Sequence, residues 1–177
     1  MKKTEPSLEC FEFKCSCCGE IHKGIPSFGI EAPNYLYSIP KEERRNRATL
    51  TTDTCIIDNE HFFVRCCLEL PVIGYKDIFS FGCWVSLSSE HFTLFEQVYN
   101  DEIRDYHEPM FAWFSSWIWP FYEGAENIKS RIHLRNHGNR PFVELEPIDH
   151  PLAIAQYEGV EPSEIIRINE HYVHGKK

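Results

Sequence analysis

Among the first two dozen residues the chain reads Phe13-Lys14-Cys15-Ser16-Cys17-Cys18-Gly19-Glu20-Ile21-His22, and no other stretch restricts its folding as strongly. Cys15 and Cys18 form a C-x-x-C pair followed directly by Gly19, the form of a zinc knuckle, in which the glycine lets the chain curl so that backbone amides point at the thiolates. Two thiolates are half of a closed tetrahedral site, so other residues must supply the rest. His22, Cys55, Cys66 and Cys67 have suitable chemistry. Cys55 and Cys67 fall on facing arms of a predicted hairpin, while His22 is nearer in sequence and equally suitable. No second C-x-x-C completes a zinc ribbon. A redox reading of the pair would need a following helix to lower the thiol pKa, and Gly19 and Lys23-Gly24-Ile25-Pro26 interrupt one.

All eight cysteines lie between Cys10 and Cys83. After Met1-Lys2-Lys3 the chain continues Thr4-Glu5-Pro6-Ser7, where a secretion signal would carry its apolar run, so a cytoplasmic protein with reduced thiols is expected. Thiols in that setting are metal ligands or small apolar packing groups, and Cys10, Cys17, Cys66 and Cys83 are expected to be the latter. One structural Zn(2+) is the predicted cofactor. With three ligands and an open position, the same ion would instead activate water.

The chain has 177 residues, of which 42% are hydrophobic and 14% aromatic, enough for one domain with a full core. Residues 1–8 are polar and predicted to be a disordered tail, and residues 9–177 a single α+β domain. The longest apolar stretch, Pro109 to Tyr122, is broken by Ser115, Ser116 and Pro120, so no membrane span is expected. A net charge of −9 spread along the chain argues against nucleic acid, which needs a basic face, and suits solubility and repulsion of wrong partners or, more specifically, docking onto a basic protein.

Periodicity gives the order of elements. Cys10 to Cys15 alternates as a half-exposed strand that delivers Cys15 to the knuckle, and Asn34 to Ile39 between Pro33 and Pro40 reads as extended. Lys41 to Arg45 reads as one helical turn. Thr49 to Ile57, the turn Asp58-Asn59-Glu60 and His61 to Leu70 make a hairpin, and Ile78 to Leu87 a third strand. A helix capped by Ser88 or Ser89 follows, ending near Asn100. Met110 to Trp119 reads as a strand, and Asn127 to Arg135 with Arg140 to Glu146 as a second hairpin. A helix begins with Pro151 at its first position and a last one opens at Pro162. Strands followed by helices give an α+β class with a mainly antiparallel sheet.

Three further stretches carry chemistry. In Glu144-Leu145-Glu146-Pro147-Ile148-Asp149-His150-Pro151, Glu146 and His150 offer an acid/base pair, whereas a solvated strand face and a helix cap explain the same residues without catalysis. The aromatic run from Phe111 to Trp119 suits a ligand pocket, a protein-docking patch or plain core. Arg131, His133 and Arg135 alternate along one strand and suit an anion or a face that balances nearby acids. No Gly-rich phosphate loop, G-x-S-x-G elbow or H-E-x-x-H occurs.

Taken together, Cys15 to His22, Thr52 to Asp58, Phe62 to Pro71, Trp84 to Ser88 and Glu144 to Ala153 resemble the bacterial domain of unknown function 2199 family across nearly the whole chain. The resemblance implies that Cys15, Cys18, His22, Cys55 and Cys67 belong to the family pattern and that Cys66 stands where the family has a glycine, which favours Cys67 over Cys66. It implies a cytoplasmic bacterial protein and brings no activity, cofactor or partner with it. The expected ligands are therefore Cys15, Cys18, Cys55 and either Cys67 or His22. The expected function is a non-enzymatic, zinc-stabilised protein that binds another protein, an immunity or antitoxin-like partner of a basic effector. A metal-assisted hydrolase using Glu146 or His150 and a small-ligand sensor built on Trp113 to Trp119 are the alternatives.

Overall fold

The computed structural model describes residues 10–118 and 120–175. The predicted tail at 1–8 and Trp119 lie outside the described residues. In chain order the strands are β1 (Glu12–Lys14), β2 (Ile21–Lys23), β3 (Phe28–Gly29), β4 (Ala48–Leu50), β5 (Thr54–Ile57), β6 (His61–Pro71), β7 (Ile78–Leu87), β8 (Met110–Phe114), β9 (Lys129–His133) and β10 (Phe142–Leu145). The helices are α1 (Asn34–Ser38), α2 (Arg44–Arg47), α3 (Ser89–Gln97), α4 (Pro151–Glu158) and α5 (Pro162–His174). The protein is α+β, as its patterning predicts. The contacts of the described residues divide them into two compact units: those within 1–28, 69–81 and 147–177 form one, and those within 29–68 and 82–146 form the other. No described helix is long and apolar enough to cross a membrane.

The second unit is built on strands whose alternation decides which side faces in. Eight strands run in the order β3-β7-β8-β9-β10-β6-β5-β4, and β7 also pairs with β6, closing β7, β8, β9, β10 and β6 into a small barrel. Neighbours β4/β5, β5/β6, β7/β8, β8/β9 and β9/β10 are antiparallel, whereas β10 meets β6 in parallel at Phe142 and Cys67. Along β8, Met110, Ala112 and Phe114 are buried while Phe111 and Trp113 face out. Ser130 and Ile132 of β9 and Val143 and Leu145 of β10 continue the buried set. The turn from β5 to β6 carries Asp58 and Asn59 at φ of 53° and 56°, the left-handed pair that a twist-compatible hairpin turn requires. Ser88 starts α3 by accepting a hydrogen bond from the His91 amide at 3.2 Å, and Phe92 and Phe95 anchor that helix.

Beside the barrel strands, Ala32, Leu36, Ile39, Cys55, Ile57, Phe63 and Trp84 form a single apolar cluster. Leu36 reaches it from α1, where sequence reading expects an extended piece. Pro33 takes the extended cap position before the helix, and Ile39 is extended before Pro40, so the two prolines bound one helical turn. The predicted strand from Thr49 to Ile57 is likewise two strands. Thr51 breaks it, its hydroxyl accepting from the amides of Asp53 and Thr54. The turn predicted at Lys41 to Arg45 forms three residues later, as α2.

In the first unit, β1 and β2 pair antiparallel with Phe13 opposite His22, and a short link that begins at Gly159 joins α4 to α5. Buried Phe11, Phe13 and Cys15 mark one face of the N-terminal stretch, which leaves Cys10 on the other, while Cys17 lies in the exposed turn. The expectation of packed thiols therefore holds for Cys66 and Cys83, both buried, and fails for Cys10 and Cys17. At Gly159, φ is 91° and ψ 167°, a region only glycine occupies without strain. A Cβ there would lie 3.1 Å from the Pro71 carbonyl oxygen and 3.2 Å from Cγ1 of Ile73. Pro71 O also accepts the Val160 amide at 2.8 Å, so it cannot retreat without weakening that bond. Gly159→Ala is expected to destabilise the protein by roughly 1–3 kcal/mol, read as a lowered urea midpoint.

Candidate metal site

The knuckle is shaped by the backbone hydrogen bonds of its own turn. Gly19 N donates to Cys15 O at 3.0 Å and Cys15 N to Glu20 O at 2.9 Å, with Gly19 at φ +77° closing the turn. The Cys17 amide donates to the Cys15 Sγ at 3.4 Å. Burial pushes the Cys15 thiol up, but hydrogen bonds from the backbone and thiols of Cys18 and Cys17 outweigh it and bring Cys15 below its ordinary value. The shift is in the direction that favours a metal ligand, because the thiolate is the donor. Cys18 Sγ lies 3.4 Å from Nε2 of His22, whose ring stacks on Phe13 with centroids 5.2 Å apart.

The fourth donor comes from the far end of the chain. Cys15, Cys18, His22 and His174 each offer one ligand atom, and all four atoms lie within 4.8 Å of one another. Donors at ~2.0–2.3 Å from a tetrahedral ion sit about 3.3–3.8 Å apart, so a small contraction would close the set around one cation. Cys15 is buried, His22 half-buried, and Cys18 and His174 exposed, which leaves solvent access for an ion to enter. A second group, Cys15, Cys17 and Glu170, shares Cys15 with the first. Buried Glu170 accepts the Ser16 amide at 2.8 Å, tying the knuckle turn to α5. Glu170 and His174 are four residues apart, so one face of α5 carries both. The Cys/His group can hold a metal ion.

Of the residues expected to be ligands, this group contains Cys15, Cys18 and His22. Cys55 lies in the barrel unit, fully buried in the cluster with Ile57, Phe63 and Trp84, and burial pushes its thiol up to about 11. Cys67 is half-buried on β6, its amide donating to Pro141 O at 2.8 Å. The hairpin does not bring these two together: Cys55 faces Phe63, which puts Cys67 four residues, or roughly 13 Å, further along the strand. Cys66 and Cys83 point into the barrel unit's interior, where burial raises both thiols, and the Cys83 thiol donates to Cys66 O at 3.7 Å.

The proposed acid/base residues are exposed Glu146, just past β10, and His150, which caps α4 with Nδ1 accepting the Leu152 amide at 3.1 Å. His133 Nε2 lies 2.8 Å from Glu144 Oε2, and Arg131 stands opposite Glu144 in the sheet, so that basic strand does face acids. Of the aromatic run, Phe114 and Ile118 are core, while Trp113 and Trp117 are exposed.

Sequence reasoning missed His174 and Glu170. The available signal was their spacing: an acid and a histidine one turn apart near the end of a helix already predicted, an arrangement that presents two ligands to a single point. No curated protein and no solved structure matches the chain. A family model described as "Uncharacterized protein conserved in bacteria (DUF2199)" matches residues 14–160, a span that takes in the knuckle and the barrel strands, and the chain belongs to that family.

Proposed function

We propose that this is a non-enzymatic protein stabilised by one structural zinc, held by Cys15, Cys18, His22 and His174, which works by binding another protein. The observation that carries the reading is the convergence of those four donors within 4.8 Å. Two thiolates and two imidazoles are the donor set that suits zinc, and four protein ligands leave no position for an activated water. This favours the structural role over a hydrolase using Glu146 or His150. With His22 as one of the four, His174 takes the place expected of Cys55, in keeping with the burial that pushes the Cys55 thiol up to about 11.

The protein partner rests on the outer face of β8. Phe111 and Trp113 are 46% and 40% exposed and meet edge to face with centroids 5.3 Å apart, a pair of the kind that anchors interfaces. Arg131 and Lys129 stand opposite them in the sheet. The net charge suggests a basic partner, but this rim suits an acidic patch on it. Elemental analysis of freshly reduced protein should give one zinc per chain. Pull-down from the native host should recover a stoichiometric protein that Trp113→Ala loses. Metal-free protein would sink the first half of the proposal, and failure to recover any stoichiometric partner the second.

A further inference from the structure

The barrel unit contains a cavity of ≈ 360 Å³ lined by Asp53, Arg65, Cys67, Tyr99, Arg104 and Arg140, among others. Three guanidinium groups against one carboxylate is an unusual lining for a chain of net charge −9. The Asp53 carboxylate is already engaged, accepting from Arg140 Nε at 2.6 Å and from the Tyr99 hydroxyl at 2.9 Å. That leaves Arg65 and Arg104 to be balanced.

Arg104 is 2% exposed, and no carboxylate among the described residues lies within ion-pair distance of it. Its Nε, Nη1 and Nη2 donate to the carbonyls of Arg135, Tyr99 and Asn139 at 2.7, 3.0 and 2.7 Å. Those bonds lock the guanidinium plane but supply no negative charge, and two of its five N–H groups are left over. Arg65 is held over the Trp84 ring at 5.9 Å, reaches Thr52 O only at 3.5 Å, and has a buried Nε with no hydrogen-bond partner. Its Nη2 passes so close to Gly29 that a Cβ there would lie 2.8 Å away, which restricts how far the group can swing. Buried cations are ordinarily paired, and an unpaired N–H in such a place costs free energy. Two fixed, unbalanced guanidiniums at one cavity form a prepaid fork for an anion of two charges.

We propose that this cavity binds a small dianionic oxyanion, either a phosphate group or a pair of carboxylates, between Arg65 and Arg104. Asp53 orients Arg140 and Tyr99 at its wall and leaves a local excess of two positive charges among the lining groups. The test uses the full chain with inorganic phosphate and, separately, succinate, by calorimetric titration at low salt. Saturable binding of one anion per chain is expected, with Arg65→Gln weakening it about tenfold or more. Lys41→Gln, at an exposed position that does not line the cavity, should leave it unchanged. Phosphate alone binding would assign a phosphate ligand, and binding of both would assign dianions generally. Thermal melts of each variant confirm folding, since Arg65 lies against the core. No saturable heat with either anion, or equal weakening by Arg65→Gln and Lys41→Gln, would overturn the proposal.

Discussion

Alanine at His174 or serine at Cys15 is expected to lower zinc affinity by more than ~100-fold, since loss of groups that merely support a ligand already costs 10–100-fold. Serine at Cys55 should leave affinity unchanged. The contrast matters because Cys55→Ser buries a hydroxyl in an apolar cluster and will lower stability for a reason unrelated to metal. Zinc must therefore be measured per folded chain, by competition with a chromogenic chelator under reducing conditions. His174→Ala is the sharper variant. It leaves the C-x-x-C turn and its hydrogen bonds intact, so retained zinc in that protein would remove His174 from the ligand set. Release of zinc by Cys55→Ser in protein that is still folded would restore the thiol-rich site expected from sequence.

Replacing Trp84 by alanine is expected to cost about 3–5 kcal/mol, the range for deleting a buried aromatic. Trp84 is fully buried and heads the largest buried side chains. Its indole N–H donates to Ile30 O at 2.9 Å, and its own amide donates to the Ser116 hydroxyl at 2.7 Å. Trp84→Phe separates the contributions, since it keeps much of the volume and strands the Ile30 carbonyl. A loss of roughly 1–3 kcal/mol is expected there. Urea unfolding read by far-UV circular dichroism measures both. If alanine cost no more than phenylalanine, the ring's volume would not be what stabilises the cluster.

Elements set by local chemistry were legible in the sequence. The hairpin at Asp58-Asn59, the Ser88 cap, the proline that opens α4 and the alternation of β7 each depend on residues adjacent in the chain. The exceptions show the limit of local reading. Asn34 to Ile39 reads as extended because proline flanks it on both sides, whereas the first proline starts a turn that Leu36 then fastens into a distant cluster. At the candidate metal site the same limit decides which donors are visible in the sequence. Cys15, Cys18 and His22 are separated by a few residues and were visible together. His174 enters through the folding of a helix, and lone histidines carry no label. Cys55 and Cys67 were attractive as ligands because thiols bind zinc, and the depth of Cys55 in the apolar cluster could not be read from its neighbours in sequence. The arginines of the cavity come from Arg65, Arg104 and Arg140, on three unrelated segments, and left no pattern in the chain.

The bond from the Ser16 amide to Glu170 joins residues 154 apart, and the donor atoms of His174 and the knuckle lie in the same place. A cation bound there would act as a clasp on the polymer. Closing so long a loop removes about 5 kcal/mol of denatured-chain entropy by the reckoning used for covalent cross-links. During synthesis His174 emerges long after Cys18, so the four donors could come together only once α5 has been made. Acquisition of the ion would then wait on α5, and a copy cut short before that helix would lack the clasp and be left open to proteolysis.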